Sequence, residues 1–190
     1  MPNCAMRIQA RTGAIMAVRP VPPTSYKGLV DVATIFSGLC VLAGVKFINN
    51  GVTAQLMDVY YGNTVWDQMQ KCADAAGINW IHDTTAGVVA IWPRDGSRGG
   101  AVPVIQAGRG MIEYPSFYMQ MGMGITARCI FDPNISVGTT VQINSTLKGA
   151  TGRFVIGQVT HHLESETPGG QWSTAFHALK EGVGQISAPP

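Results

Sequence analysis

The feature that most constrains this chain is a change of hydrophobic period. Up to about residue 93 the apolar residues recur at helical spacing between short apolar runs. Beyond residue 100 they recur every second residue. A 3.6-residue period favours helices packed by one face, and a period of two favours half-buried strands. One chain with both periods in sequence is expected to be α+β, in separate modules.

The breaks fall where composition changes. Arg19–Ser25 carries three prolines and favours an extended link. Pro93–Gly100 is a polar, glycine-rich connector. The expected organisation is therefore an extended arm over 1–27, an αββαββ domain over 28–93 and a linker over 94–100. An antiparallel β-barrel or sandwich domain over 101–182 and a loose tail over 183–190 follow.

In the middle module, Val32, Ile35, Phe36, Leu39 and Ala43 mark a helix, with Asp31 as N-cap and Gly44 as stop. Val45–Ile48 reads as a strand, and Asn49-Asn50-Gly51 predicts a hairpin turn returning through Val52–Val59. A second helix starts near Asn63 or Thr64 with the stripe Val65, Met69, Cys72, Ala73 and Ala76, and Gly77 ends it. Ile78–Ile81 and Val88–Trp92 form a second hairpin. The two helices are expected on one face of a small mixed sheet, with the other face free for a neighbour and so a further candidate contact. In the C-terminal module, Ile125, Ala127, Cys129 and Phe131 share a face. So do Val141 and Ile143, then Val155, Val159, His161 and Leu163, then Trp172, Thr174, Phe176 and Ala178.

Charge is scarce. Charged residues make up 13% of the chain, about half the usual share. A surface this bare is expected to be covered in part by copies of itself or by partners. The net charge of +2 carries no strong polyanion signal. The arm is locally basic, with Arg7, Arg11, Arg19 and Lys27 and no acid, and Arg7, Arg11 and Arg19 are candidate partner contacts. Phe117, Tyr118, Met119, Met121 and Met123 form an uncharged apolar tract. Exposed on an edge, it would be an aggregation hazard, so it is the candidate subunit interface.

Signals for chemistry are weak. Cys4, Cys40, Cys72 and Cys129 lie far apart and read as small buried hydrophobes, which suits a reducing compartment. His161 and His162 are adjacent on a strand and face opposite ways, so they do not share a metal. Glu164 and Glu166 read as a solvated hairpin end. Gly122-Met123-Gly124 lacks the third glycine of a nucleotide-binding turn, and the two separated RGG-like triplets lack interleaved aromatics. No nucleophile motif is present. The expectation is a non-enzyme with no cofactor and no metal. The apolar run Gly13–Val18 is too short for a signal-peptide core, and the longest uncharged apolar stretch, Val32–Val45, is too short to span a bilayer.

These strings of turns and strand cores resemble a known family. Gly108–Pro115 (GRGMIEYP), Gly124–Pro133 (GITARCIFDP), Gly138–Ser145, Gly152–His162 and Gly169–Thr174 are similar, in order, to the C-terminal β-domain of baseplate (tail) hub proteins of contractile-tailed bacteriophages. Ser25–Gly28 and Gly62–Met69 fit the small αββαββ domain of such hubs. The resemblance covers roughly residues 25–180. It implies a virion structural protein, made in the host cytoplasm and sited in the tail baseplate. There it would form a homotrimeric ring that joins the tail tube to the central spike and surrounds the DNA channel. The implied partners are copies of itself, the tail tube protein and the central spike protein, with the tape measure protein and the baseplate wedge as further candidates. DNA would pass through without sequence-specific binding. Many hubs carry further β-domains upstream, whereas only the arm precedes Gly28 here.

Two alternatives stand beside this reading. Secretin-type periplasmic ring-building domains also run αββαββ. A cell-surface or sugar-binding tail module could use Trp80, Trp92 and Trp172 as an aromatic platform.

Overall fold

The computed structural model describes residues 13–118, 124–166 and 168–183. The chain divides into two compact units. The first comprises Met1–Ile48, Thr53–Ala76 and His82–Ala90, and the second Asn49–Val52, Gly77–Ile81 and Ile91–Pro190. Helices and strands mix in the α+β manner that the change of period predicts.

The elements run α1 (Ala14–Val18), β1 (Thr24–Asp31), α2 (Val32–Ala43), β2 (Lys46–Asn49), β3 (Gln55–Tyr61), α3 (Val65–Ala76), β4 (Ile78–Asp83) and β5 (Val88–Pro93). The expected αββαββ order is present from α2 to β5. It is preceded by α1 and the start of β1, which fall within the region 1–27 expected as an extended arm.

In the first unit, Val32, Ile35, Phe36, Leu39 and Cys40 of α2 are buried with Val65, Met69, Cys72 and Ala73 of α3. The helices pack on each other, α2 against β1 and α3 against β3. Phe36 stacks on Phe47 of β2 with ring centroids 6.4 Å apart. Gly44 closes α2 with φ 68°, and its N–H reaches back to Cys40 and Val41, as a C-terminal stop requires. Thr64 caps α3, its Oγ1 accepting from Asp67 N–H at 3.1 Å. Asp31 occupies the N-cap position of α2 but makes no side-chain cap bond. Its carboxylate accepts instead from Gln55 Nε2 at 2.8 Å.

The largest departure concerns Asn49-Asn50-Gly51. The turn forms, with Asn49 Oδ1 accepting from Val52 N–H at 2.7 Å and Asn49 Nδ2 donating to Val52 O at 2.9 Å. The strands it separates do not pair. β3 pairs antiparallel with β1, from Thr24↔Tyr61 to Asp31↔Gln55, while β2 lies in a three-stranded sheet ordered β2-β5-β4. The single mixed sheet expected from sequence is thus two sheets. A bulge in β1 at Lys27-Gly28 breaks the ladder opposite Asp58, where Gly28 N–H donates to Asp58 Oδ1 at 2.7 Å.

The second unit continues through β6 (Val104–Gln106), β7 (Met111–Tyr118), β8 (Gly124–Ile130), β9 (Thr140–Asn144), β10 (Gly152–Leu163) and β11 (Trp172–Lys180). These form one six-stranded sheet in the order β6-β9-β10-β11-β8-β7. It is antiparallel except for the β6–β9 pair, which is parallel. The two edge strands meet through the tight Gln106–Gly110 turn, so the sheet curls almost to a closed barrel. Its core contains Ile105, Ile125, Ala127, Cys129, Ile135, Val141, Ile143, Phe154, Ile156, Phe176 and Ala178.

Strand β10 does not keep one phase. Phe154 and Ile156 face the core, and a bulge between Ile156 and Gln158 moves the inward set to Val159. Val155, expected on the same face as Val159, is on the opposite one. The bulge inserts one residue, and a one-residue slip exchanges the faces.

The segment 94–100, expected as the linker, is hydrogen-bonded within the second unit. Arg98 N–H donates to Gly138 O at 2.8 Å, and an Arg98 Nη to Val137 O at 3.3 Å. Asn79 Nδ2 lies 3.4 Å from Pro93 O and 3.3 Å from Arg94 O.

Candidate assembly surfaces

Two of the histidines are hydrogen-bonded to neighbouring threonines. His161 Nδ1 is 2.9 Å from Thr174 Oγ1, and His177 Nδ1 is 2.8 Å from Thr126 Oγ1. Among the described residues, no three His, Cys, Asp or Glu side chains converge to hold a metal ion. Burial pushes the thiols of Cys40 and Cys72 up to about 12 and that of Cys129 up to about 11, the last with a contribution from Asp132. Burial, then the neighbouring Cys72, raises Tyr61. These cysteines are protonated at neutral pH and are poor nucleophiles. Glu164 Oε2 accepts from Gln171 N–H at 3.1 Å, within the β10–β11 hairpin end. No described helix is long and apolar enough to cross a membrane.

The tryptophans do not form one platform. Trp92 is 2% exposed. Its Nε1 is buried without a hydrogen-bond partner among the described residues. Trp80 is half-buried. Trp172 is 52% exposed, with Nε1 donating to Glu164 O at 2.8 Å.

Of the apolar tract proposed as an interface, Phe117 lies on β7 and is 48% exposed. Tyr118 ends that strand. Met119, Met121 and Met123 lie outside the described residues. Arg19 follows α1 and is exposed, while Arg7 and Arg11 lie outside the described residues.

Two other surfaces stand out, and the sequence pointed to the first only in general terms, as the free face of the αββαββ sheet. In the first unit, Leu29 and Met57 face each other across the β1–β3 ribbon, each 64% exposed. Tyr60 stands exposed on the same ribbon. Helix α2 carries no charged residue over its whole length, and Thr34, Ser37, Gly38, Val41 and Leu42 are exposed on it. A helix that is apolar on most sides is usually covered on most sides.

In the second unit, β10 outruns its neighbour. β9 pairs only with Gly152–Val155, and the turn at Gly138-Thr139 extends the contact to Ile156. Beyond it, Gln158–Leu163 pairs with β11 on one side and with no described residue on the other. At this end Phe131 meets His161 edge-to-face at 5.2 Å and Trp172 at 5.9 Å. Leu163, opposite Trp172, is 49% exposed. The sequence signal for this edge is a mismatch of length, since β9 has 5 residues and β10 has 12.

Comparison with known proteins adds a fold. No protein-family model and no curated protein sequence matches the chain. Solved structures do. The tail protein from Neisseria meningitidis MC58 matches with a TM-score of 0.65 at 10% identity, over 90% of this chain and 73% of that one. The 43 kDa tail protein of prophage MuSo2 from Shewanella oneidensis matches with a TM-score of 0.59 at 12% identity, over 87% of this chain and 67% of that one. At such identities the likeness is one of fold.

Proposed function

We propose that this chain is a structural subunit of a bacteriophage tail. More specifically, it builds a homotrimeric baseplate hub that joins the tail tube to the central spike and surrounds the DNA channel. The observation that carries the reading is the fold shared with two tail proteins, one of them from a prophage, over about nine-tenths of the chain. The surface supports it. Charge is sparse, and apolar side chains stand exposed on the β1–β3 ribbon, on α2 and at the distal end of β10. A cyclic ring covers such surfaces by heterologous contacts, each copy presenting two different patches.

In this reading the chain works without enzymatic chemistry. Its partners are its own copies, the tail tube protein and the central spike protein, with the tape measure protein and the baseplate wedge as further candidates. Its place is the virion tail, after synthesis in the host cytoplasm. DNA passes through without base-specific contact.

Class averages from electron micrographs of the purified assembly test the reading. Three-fold rings with a central opening are expected. Rings of twelve or more copies would replace the hub by the secretin-like alternative. The sugar-binding alternative now rests on Trp172 rather than on Trp92, which is buried. Glycan-array binding lost in Trp172→Ala, with the fold retained, would favour it.

A further inference from the structure

We infer that the free edge of β10 is a strand-addition site, and that its occupant is the segment Cys4–Arg11 of another copy of this chain. The inference rests on the oligomeric reading above and names one contact within it.

The edge has the properties of an acceptor. Over Gln158–Leu163 the backbone groups that point away from β11 meet no described partner. Sheet edges are normally blunted by lysine, proline, an inward charge or a bulge. Between Gln158 and Leu163 there is no lysine, no proline and no acid, and the bulge lies at the start of the edge. All of these residues are exposed except Val159, which is half-buried. Along this six-residue edge, an added strand would meet the N–H and C=O groups of alternate residues, which point away from β11 and have no described partner. On one side it would meet Val159, His161 and Leu163, with Phe131 and Trp172 beside them. On the other it would meet Gln158, Thr160 and His162.

The occupant is argued from pattern, length and charge. Cys4, Met6, Ile8 and Ala10 alternate with Ala5, Arg7, Gln9 and Arg11, the period-two pattern of a strand with one apolar face. Its eight residues match a six-residue edge. The segment carries two arginines and no acid, and Glu164 and Glu166, both exposed, follow the edge directly with no base between them. In strand addition the main chain supplies affinity and alternate side chains supply specificity. Here the apolar set would lie toward Leu163 and Trp172, and the arginines would lie on the polar side.

The test combines native mass with amide hydrogen exchange on the full chain, the Ile8→Pro chain and the Leu163→Asp chain. Proline at position 8 would remove a ladder donor from the proposed added strand, and Leu163, half-exposed at a strand end, lies outside the core of the β unit. The wild-type chain should be multimeric with slow exchange over Gln158–Leu163. Each variant should weaken self-association by about tenfold or more and restore fast exchange at the edge. A wild-type multimer with fast exchange there overturns the inference and leaves the oligomeric reading standing. So does edge protection that persists in Ile8→Pro, because it points to another occupant. A monomer with a protected edge means the segment adds within its own chain, and a monomer with an open edge removes both readings.

Discussion

Glycine 138 gives the sharpest test of how the second unit is held. Its φ is +83°, in the left-handed region that costs an L-residue on the order of 1 kcal/mol or more. A Cβ built there would lie 2.7 Å from Trp92 Cζ2, 2.7 Å from Arg98 Cδ and 2.8 Å from Arg98 Cγ. The arginine stem can move, but the indole is buried. The backbone cannot easily retreat either, because Gly138 N–H donates to Ile156 O at 2.7 Å and Gly138 O accepts from Arg98 N–H. Overpacking of this kind costs about 1–3 kcal/mol. Gly138→Ala also narrows the unfolded ensemble, which returns roughly 0.4–1 kcal/mol. The expected net loss is about 2–3 kcal/mol, read as the shift in a urea unfolding midpoint followed by tryptophan fluorescence. Gly169→Ala is the control, with φ +77° and no described atom within 4 Å of the added methyl. It carries the backbone cost alone. Gly138→Ala should therefore lose at least about 1 kcal/mol more than Gly169→Ala. Equal losses would refute the claim that Trp92 and Arg98 pack against this glycine.

Three further outcomes are expected. Gln68, fully buried, accepts from Thr24 N–H and donates to Pro22 O and Asn63 O. Gln68→Leu should therefore cost about 1–3 kcal/mol and speed proteolysis between residues 19 and 24, and unchanged cleavage would contradict this anchoring role. Because folding raises the Cys40 and Cys72 thiols from 9.0 to about 12, the unfolded chain loses their protons first. Their contribution to stability is constant below about pH 9 and falls as pH rises toward 12. Thermal melts from pH 8 to 11 should show a shallower decline in Cys72→Ala than in the parent chain. Met121→Asp should abolish assembly and leave a folded monomer by circular dichroism, and intact assembly would remove the tract Phe117–Met123 from the interface.

Legibility in the sequence followed the range of the forces involved. The helices α2 and α3 were readable because their buried stripes and the stops at Gly44 and Gly77 are local. The core faces of β8 and β9 were readable because Ile125, Ala127 and Cys129, and Val141 and Ile143, alternate without interruption. The pairing of β2 and β3 was not. Asn49-Asn50-Gly51 is a true turn signal, closed by the Asn49 side chain. Which strands pair across it depended on distant partners, β1 and β5. β1 itself hides its periodicity behind the bulge at Lys27-Gly28, and β10 changes phase at Gly157 for the same reason. β6 has only three residues and is fixed by its parallel partner β9. Among the candidate contacts, Phe117 is exposed on β7. The free face of the middle sheet was expected without its residues, because the pairing of β1 with β3 was not legible, and the edge of β10 was missed because exposure of a strand edge depends on the length of the neighbouring strand.

The most direct test of the account is the native mass of the purified chain over a concentration series. The hub reading predicts one species of three copies of the 20.2 kDa chain, persisting on dilution. A monomer at every concentration, or a ring of twelve or more copies, would contradict it.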